Sequence, residues 1–239
     1  MFHPYDHVLV ALFAVAWPLF ELRVGYPGFK RALQRGAPGV RRDAYARAMA
    51  TQWAFAGLVL FGWLRFRRPL VALGFGVPSG AGFLVTVLFA IAIAAFLAWQ
   101  NRMIAASPGA LGRVRAALGE ALPLLPHTPG ELRGFVALSI TAGVCEEILF
   151  RGYLMAYLHP WTGAWGAFLL SSLIFGLAHS YLGRKHGIRA GLAGLVMAAL
   201  YTLAGSLWVP MVVHAMVDTN SGRLGYRAVN EAGESMREA

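Results

Sequence analysis

A single cysteine, Cys145, stands among 239 residues. No intrachain disulfide can form, and no cysteine framework is left for a metal. Charge is scarce too: only 13% of the residues are Asp, Glu, Lys or Arg, about half the share of a soluble domain. Acids are the scarcest, 11 against 21 Lys and Arg, which gives a formal net charge of +10. There is no Gly-x-Ser-x-Gly elbow for a serine mechanism and no His-Glu-x-x-His pair of a zinc peptidase. Internal repeats and low-complexity segments are absent as well. The first apolar run has no basic stretch before it and carries Glu21 and Arg23 at its end, so no cleavable signal peptide is expected.

What the chain has is apolar length. Hydrophobic residues make up 58%, and several runs approach the roughly 20 residues that cross a bilayer. The pattern predicts an all-α, polytopic transmembrane bundle of about seven to eight spans in one integral membrane domain over 1–239. Within it, 1–119 would hold the N-terminal spans, 120–222 a motif-bearing core, and 223–239 a polar tail. The expected spans run from Val8 to about Leu22, Ala48 to Leu64, Phe83 to Trp99, Phe135 to Leu158, Gly163 to Leu182, Gly187 to Leu203, and onward from Leu207. The last has only about eleven apolar residues before Asp218, short for a lipid-exposed span. It is expected to be wrapped by other helices or to face a cavity, with Pro210 kinking it. Residues 74–82 read as a turn region and 103–133, with Pro108, Pro123, Pro126 and Pro129, as a surface segment.

Orientation follows from the basic residues. With the N-terminus outside, the loop holding Lys30, Arg31, Arg35, Arg41, Arg42 and Arg47 falls inside, as do Arg102, Arg113, Arg115, Arg133, Arg184, Lys185, Arg189, Arg223, Arg227 and Arg237; outside lie only Arg65, Arg67 and Arg68. The positive charge therefore reads as cytoplasmic loops in a bacterial inner membrane, and no nucleic-acid partner is expected.

Against this apolar background, charge inside a span is costly and reads first as a functional site. Ala142-Gly-Val-Cys-Glu-Glu-Ile-Leu-Phe-Arg151 places two carboxylates and a guanidinium within the fourth span. Glu147 and Arg151 stand at i and i+4, the favourable order for a pair, which leaves Glu146 free. The plainer reading is a buried ion-pair network that fixes packing. In the fifth span Phe175-Gly-Leu-Ala-His179 puts an aromatic and a histidine on one helix face, and His214-Ala-Met-Val-Asp218 does so for a histidine and a carboxylate in the seventh. Glu146, His179, His214 and Asp218 on three helices could supply what hydrolysis needs: a water, a base, and donors for the oxyanion. Cys145 beside them reads as a small apolar residue rather than a nucleophile.

The order and spacing of these motifs, E-E-x-x-x-R, F-x-x-x-H and H-x-x-x-D, resemble the CPBP family of intramembrane endopeptidases, which includes type II CAAX prenyl proteases and bacteriocin-processing (ABI-type) proteins. The resemblance covers roughly residues 120–220, including Leu125-Pro126-His127-Thr128 and Arg151-Gly152-Tyr153. It implies a proteolytic site opening toward the cytoplasm, in which Glu146 and His179 activate water, His214 and Asp218 position the substrate carbonyl, and Glu147, Arg151 and Phe175 support them. Eukaryotic CAAX enzymes carry Asn where this chain has Asp218. An ionised Asp cannot donate to an oxyanion, so Asp218 is either protonated or orients His214, and the second reading is preferred. The expected mechanism needs no cofactor; the alternative is zinc on Glu146, His179 and His214. The expected partners are the bilayer and a membrane-associated protein or peptide substrate, with the oligomeric state open. A proton-coupled transporter or channel and a non-catalytic protease-like scaffold are the competing classes. Reporter fusions in loop 24–44 and after Arg223 are expected to report from the cytoplasm; periplasmic signals from both sites would reverse the orientation.

Overall fold

A bilayer offers no water to backbone N–H and C=O groups, so long apolar runs close their hydrogen bonds within the segment, as helices. The computed structural model of the chain, which describes residues 2–107 and 109–235, is built that way, with no strand among the described residues. In chain order the helices are α1 (Pro4–Gln34), α2 (Val40–Arg65), α3 (Gly80–Ala106), α4 (Ala110–Leu118), α5 (Pro129–Ala178), α6 (Arg184–Ala204) and α7 (Trp208–Ser235). Four of them, α1, α3, α5 and α6, are both long and apolar enough to cross a membrane. The 26 residues of α2 and 28 of α7 also reach roughly 40 Å at about 1.5 Å per residue. On α3 only Thr86 is buried, while Leu84, Leu88 and Ile91 are all more than half exposed. Such a face would be a liability in water; in lipid it is the solvated surface. The chain is an integral membrane protein.

Helix α5 is too long to be one span. At Gly163 the backbone leaves helical geometry with φ 68°, a conformation glycine adopts without a Cβ clash. Beyond it the chain doubles back, for the Ser171 hydroxyl donates to the Phe150 carbonyl at 2.8 Å and the Phe150 and Phe175 rings meet at 5.0 Å. The expected fourth and fifth spans are thus two antiparallel arms of a helical hairpin. In the first arm, residues Ile148–Leu154 form a π-helical stretch, all of them buried.

One sequence expectation needs correction. Pro210 does not kink a helix interior: it is the third residue of α7, in the first turn, where its missing N–H has no helical partner to lose. Helices also outlast the apolar runs. Beyond Leu22, α1 continues to Gln34, because Tyr26 and Phe29 fall on one face and pack with Ala44, Ala121 and Leu182. Likewise α7 continues through the expected tail to Ser235, with Leu224 and Ala228 buried on its inner face. Hydropathy marks where lipid ends, not where a helix ends. The expected surface segment holds the end of α3, the helix α4 and the start of α5 at Thr128, whose side chain accepts from the Glu131 N–H in a capping box. Pro108, Arg237 and residues 236–239 lie outside the described residues.

The first arm of α5 packs against α7 so closely that a Cβ on Gly143 would lie 2.8 Å from the Met211 carbonyl oxygen. That approach sets the distance across which the next turns face each other. At the opposite end of the first arm, Asp6 ties α1 to the chain after α2. Arg68 donates to its two oxygens at 2.8 and 2.6 Å, and the Tyr153 hydroxyl donates at 2.8 Å. Gly143→Ala is expected to cost about 1–3 kcal/mol, as overpacking does, and to lower the thermal midpoint in detergent. Gly57→Ala, where nothing lies within 4 Å of the new Cβ, should not; equal midpoints for the two variants would place α5 and α7 apart.

Candidate active site

Glu147 and Arg151 of the first α5 arm point at the second arm, α6 and α7. Glu147 and Arg151 are wholly buried, and an Arg151 Nη1–H donates to Glu147 Oε1 at 3.0 Å. The other end of the guanidinium donates to the Gly194 carbonyl of α6 at 3.1 Å, and its carbon lies 4.5 Å from the centre of the Phe175 ring. A cation over an aromatic face is stabilised by the ring quadrupole. Glu147 Oε1 also accepts from His214 Nδ1 of α7 at 2.7 Å. One carboxylate oxygen thus joins α5 to α7 and, through Arg151, to α6.

Glu146 faces a different way. Its Oε1 accepts from Gln52 Nε2 of α2 at 2.7 Å. Its Oε2 lies 3.7 Å from His179 Nε2 and 3.8 Å from His214 Nε2, with no hydrogen-bond partner among the described residues. Such separations exceed a direct hydrogen bond and are the kind a water bridges. His179 Nδ1 is 2.9 Å from the Phe175 carbonyl oxygen. A carbonyl only accepts, so Nδ1 carries the proton, and in the neutral ring Nε2 is left as an acceptor facing Glu146. Asp218 Oδ2 stands 3.6 Å from His214 Nε2 with its side chain 42% exposed, against 12% for Glu146. Asp218 therefore marks the open side of the cluster.

All seven residues expected from the sequence come together: Glu146, His179, His214 and Asp218 around one small space, Glu147 and Arg151 behind them. Phe175 fills the middle, its ring 4.5 Å from His179 and 6.0 Å from His214. The geometry differs from expectation at one bond. His214 is held by Glu147, at hydrogen-bonding distance on Nδ1, while Asp218 only flanks Nε2. Cys145 lies buried in the main apolar cluster with Leu9, Phe13 and Met211. Two contributors were missed, Gln52 and Gly194. Gln52 had a signal, a lone amide within the apolar run from Ala48 to Leu64; Gly194 contributes a backbone carbonyl, which no side-chain pattern announces.

Zinc ligands about 2.0–2.1 Å from the metal in a tetrahedron sit about 3.3–3.4 Å from one another. The Nε2–Oε2 separations here are wider, and among the described residues no group of three or more His, Cys, Asp or Glu is arranged to hold a metal ion.

Comparison with known proteins agrees with the motifs. Residues 128–220 match the family model described as Rce1-like, type II CAAX prenyl endopeptidase. "Putative membrane peptidase YdiL" of Bacillus subtilis (strain 168) is 36% identical over 84 residues, which span 35% of this chain and 34% of that protein. No solved structure matches the chain. The CPBP resemblance drawn from the motifs is supported by both matches, and the family match leaves α1, α2 and α3 outside it.

Removing one partner of a buried ion pair leaves a charge uncompensated, at a cost of about 3–5 kcal/mol. Arg151→Ala is therefore expected to lower the unfolding midpoint in detergent by several degrees. An unchanged melting profile would mean that the pair does not brace the bundle.

Proposed function

We propose that this chain is an intramembrane endopeptidase of the Rce1-like, CPBP kind, hydrolysing a peptide bond of a membrane-bound or lipidated protein or peptide with water activated by Glu146. The observation that carries the reading is the convergence of Glu146 Oε2, His179 Nε2 and His214 Nε2, from both arms of α5 and from α7, within 3.8 Å of the carboxylate oxygen. A proton relay or a packing network would use the same residue types. The match of residues 128–220 to a peptidase family favours hydrolysis.

In this mechanism a water donates one hydrogen to Glu146 Oε2 and the other to His179 Nε2. Glu146 takes a proton as the water oxygen attacks the peptide carbonyl carbon. The resulting oxyanion needs a donor fixed in advance. His214 serves in its imidazolium form, with Nδ1–H on Glu147 and Nε2–H directed at the oxyanion. Asp218, an acceptor only when ionised, flanks that ring at the mouth and does not donate. Collapse of the intermediate breaks the C–N bond, and Glu146 returns the proton to the leaving amine. The low dielectric around a buried carboxylate strengthens each of these interactions relative to water.

His179 closes the second α5 arm just before Arg184 and Lys185. In this reading the site opens on the side of the basic loops, which the positive-inside rule assigns to the cytoplasm, here of a bacterial inner membrane. The substrate would enter from that face.

Glu146→Gln keeps the volume and removes the base, so cleavage should fall by a factor of about 10² to 10⁴ in a protein that remains folded. Near-normal proteolysis by this variant would sink the glutamate mechanism. Cleavage is expected to survive removal of bound metal, checked by elemental analysis of the same sample. Stoichiometric zinc, lost together with activity on changing His179 or His214, would establish the metal mechanism instead. A transporter or scaffold would cut nothing in either background.

A further inference from the structure

We propose that Gln52 is a positioning residue for Glu146, fixing the carboxylate so that Oε2 is the oxygen presented between His179 and His214. The inference deepens the peptidase reading and rests on it. Gln52 lies on α2, outside the residues that match the family model, so it extends the site to a helix that carries none of the motifs.

The orientation of the amide is determined chemically. Gln52 Nε2 is 2.7 Å from Glu146 Oε1, and an ionised carboxylate accepts only. The flipped amide would set two acceptor oxygens against each other. With Oε1 held by this donor, the plane of the Glu146 carboxylate is set, and Oε2 falls 3.7 and 3.8 Å from the two histidine Nε2 atoms. A glutamate has several rotatable bonds, and ordering such a chain costs up to about 2 kcal/mol of rotamer freedom. Here the Gln52 bond supplies part of that ordering before substrate arrives. A base placed in advance is worth orders of magnitude in rate, because misplacement by about 1 Å costs about 10²-fold.

Gln52 is poorly explained as a packing residue. Its own Oε1 is buried without a hydrogen-bond partner among the described residues, a cost that a leucine or methionine in the same space would not incur. Thr51 precedes it, and Trp53, Ala54, Phe55 and Ala56 follow, apolar as expected of a span. The amide breaks that pattern at the position that touches the proposed base. A local rule broken at a site, without a stability gain, is the mark of a functional requirement.

Gln52→Leu removes both amide atoms at similar volume. A hydrogen bond to a charged group corresponds to a rate factor of about 10- to 100-fold. The variant's kcat per folded molecule should fall by that factor, with KM within about twofold. A purely structural role would lower the folded fraction and leave kcat per folded molecule unchanged, which would overturn the proposal. A second readout needs no activity. The infrared carboxylate band that disappears in Glu146→Gln should shift in Gln52→Leu, because it loses a donor; an unmoved band also overturns the proposal. If the intact protein cuts no substrate, the peptidase reading fails by itself, and the band still decides whether Gln52 holds Glu146.

Discussion

One carboxylate oxygen, Glu147 Oε1, accepts from Arg151 at 3.0 Å and from His214 at 2.7 Å, and the rest of the site depends on it. Buried charge in an apolar bundle is tolerable only when each sign meets the other and the remaining donors find acceptors. Glu147 answers Arg151 along its own helix and His214 across to α7. Arg151 in turn reaches the Gly194 carbonyl of α6 and the Phe175 ring on the second α5 arm. Four helical segments are thereby set relative to one another by groups that could not stay buried separately. The neighbouring Glu146, one residue earlier and rotated by about 100°, is released from that bracing duty and looks toward the open side.

Close backbone approach lets so few polar atoms do this. Gly143 brings α5 against the Met211 carbonyl, and a Cβ on Gly176 would come within 2.8 Å of the Gly187 carbonyl oxygen, so the second arm and α6 are as tight. Small residues at helix crossings are the usual means of association in lipid, where burying apolar surface gives little drive. In this chain they shorten the reach of Glu147 and Arg151 to hydrogen-bonding distance. Packing and polar chemistry support each other here: the glycines permit the bonds, and the bonds give a reason for the crossings.

Much of this was legible in the sequence. Charges inside apolar runs named Glu146, Glu147, Arg151, His179, His214 and Asp218, because such residues are too costly to be incidental. The hairpin at Gly163 matched two separate runs, and the i, i+4 spacing of Glu147 and Arg151 foretold their pair. The partner of His214 was not legible, since Asp218 is its neighbour in sequence and Glu147 its neighbour only in space. The helical continuations to Gln34 and Ser235 lie beyond the apolar runs, where an amphipathic face replaces a hydrophobic run. Gln52 was visible as a polar residue in a span, but nothing in one sequence says which helix it faces.

The reversal at Gly163 has a consequence for how the chain is made. Helix α2 precedes α5 in the chain, so Gln52 is synthesised before Glu146. The two arms of α5 then enter as a hairpin, which joins Glu147 to Arg151 and sets Phe175 against Phe150 without help from later segments. Gly194 on α6 and then His214 and Asp218 on α7 follow it in the chain. With the hairpin alone the bracing network is therefore incomplete, for Arg151 lacks the Gly194 carbonyl and Glu147 lacks His214. Until α7 docks, the growing chain holds the Glu147–Arg151 pair without the second histidine of the cluster.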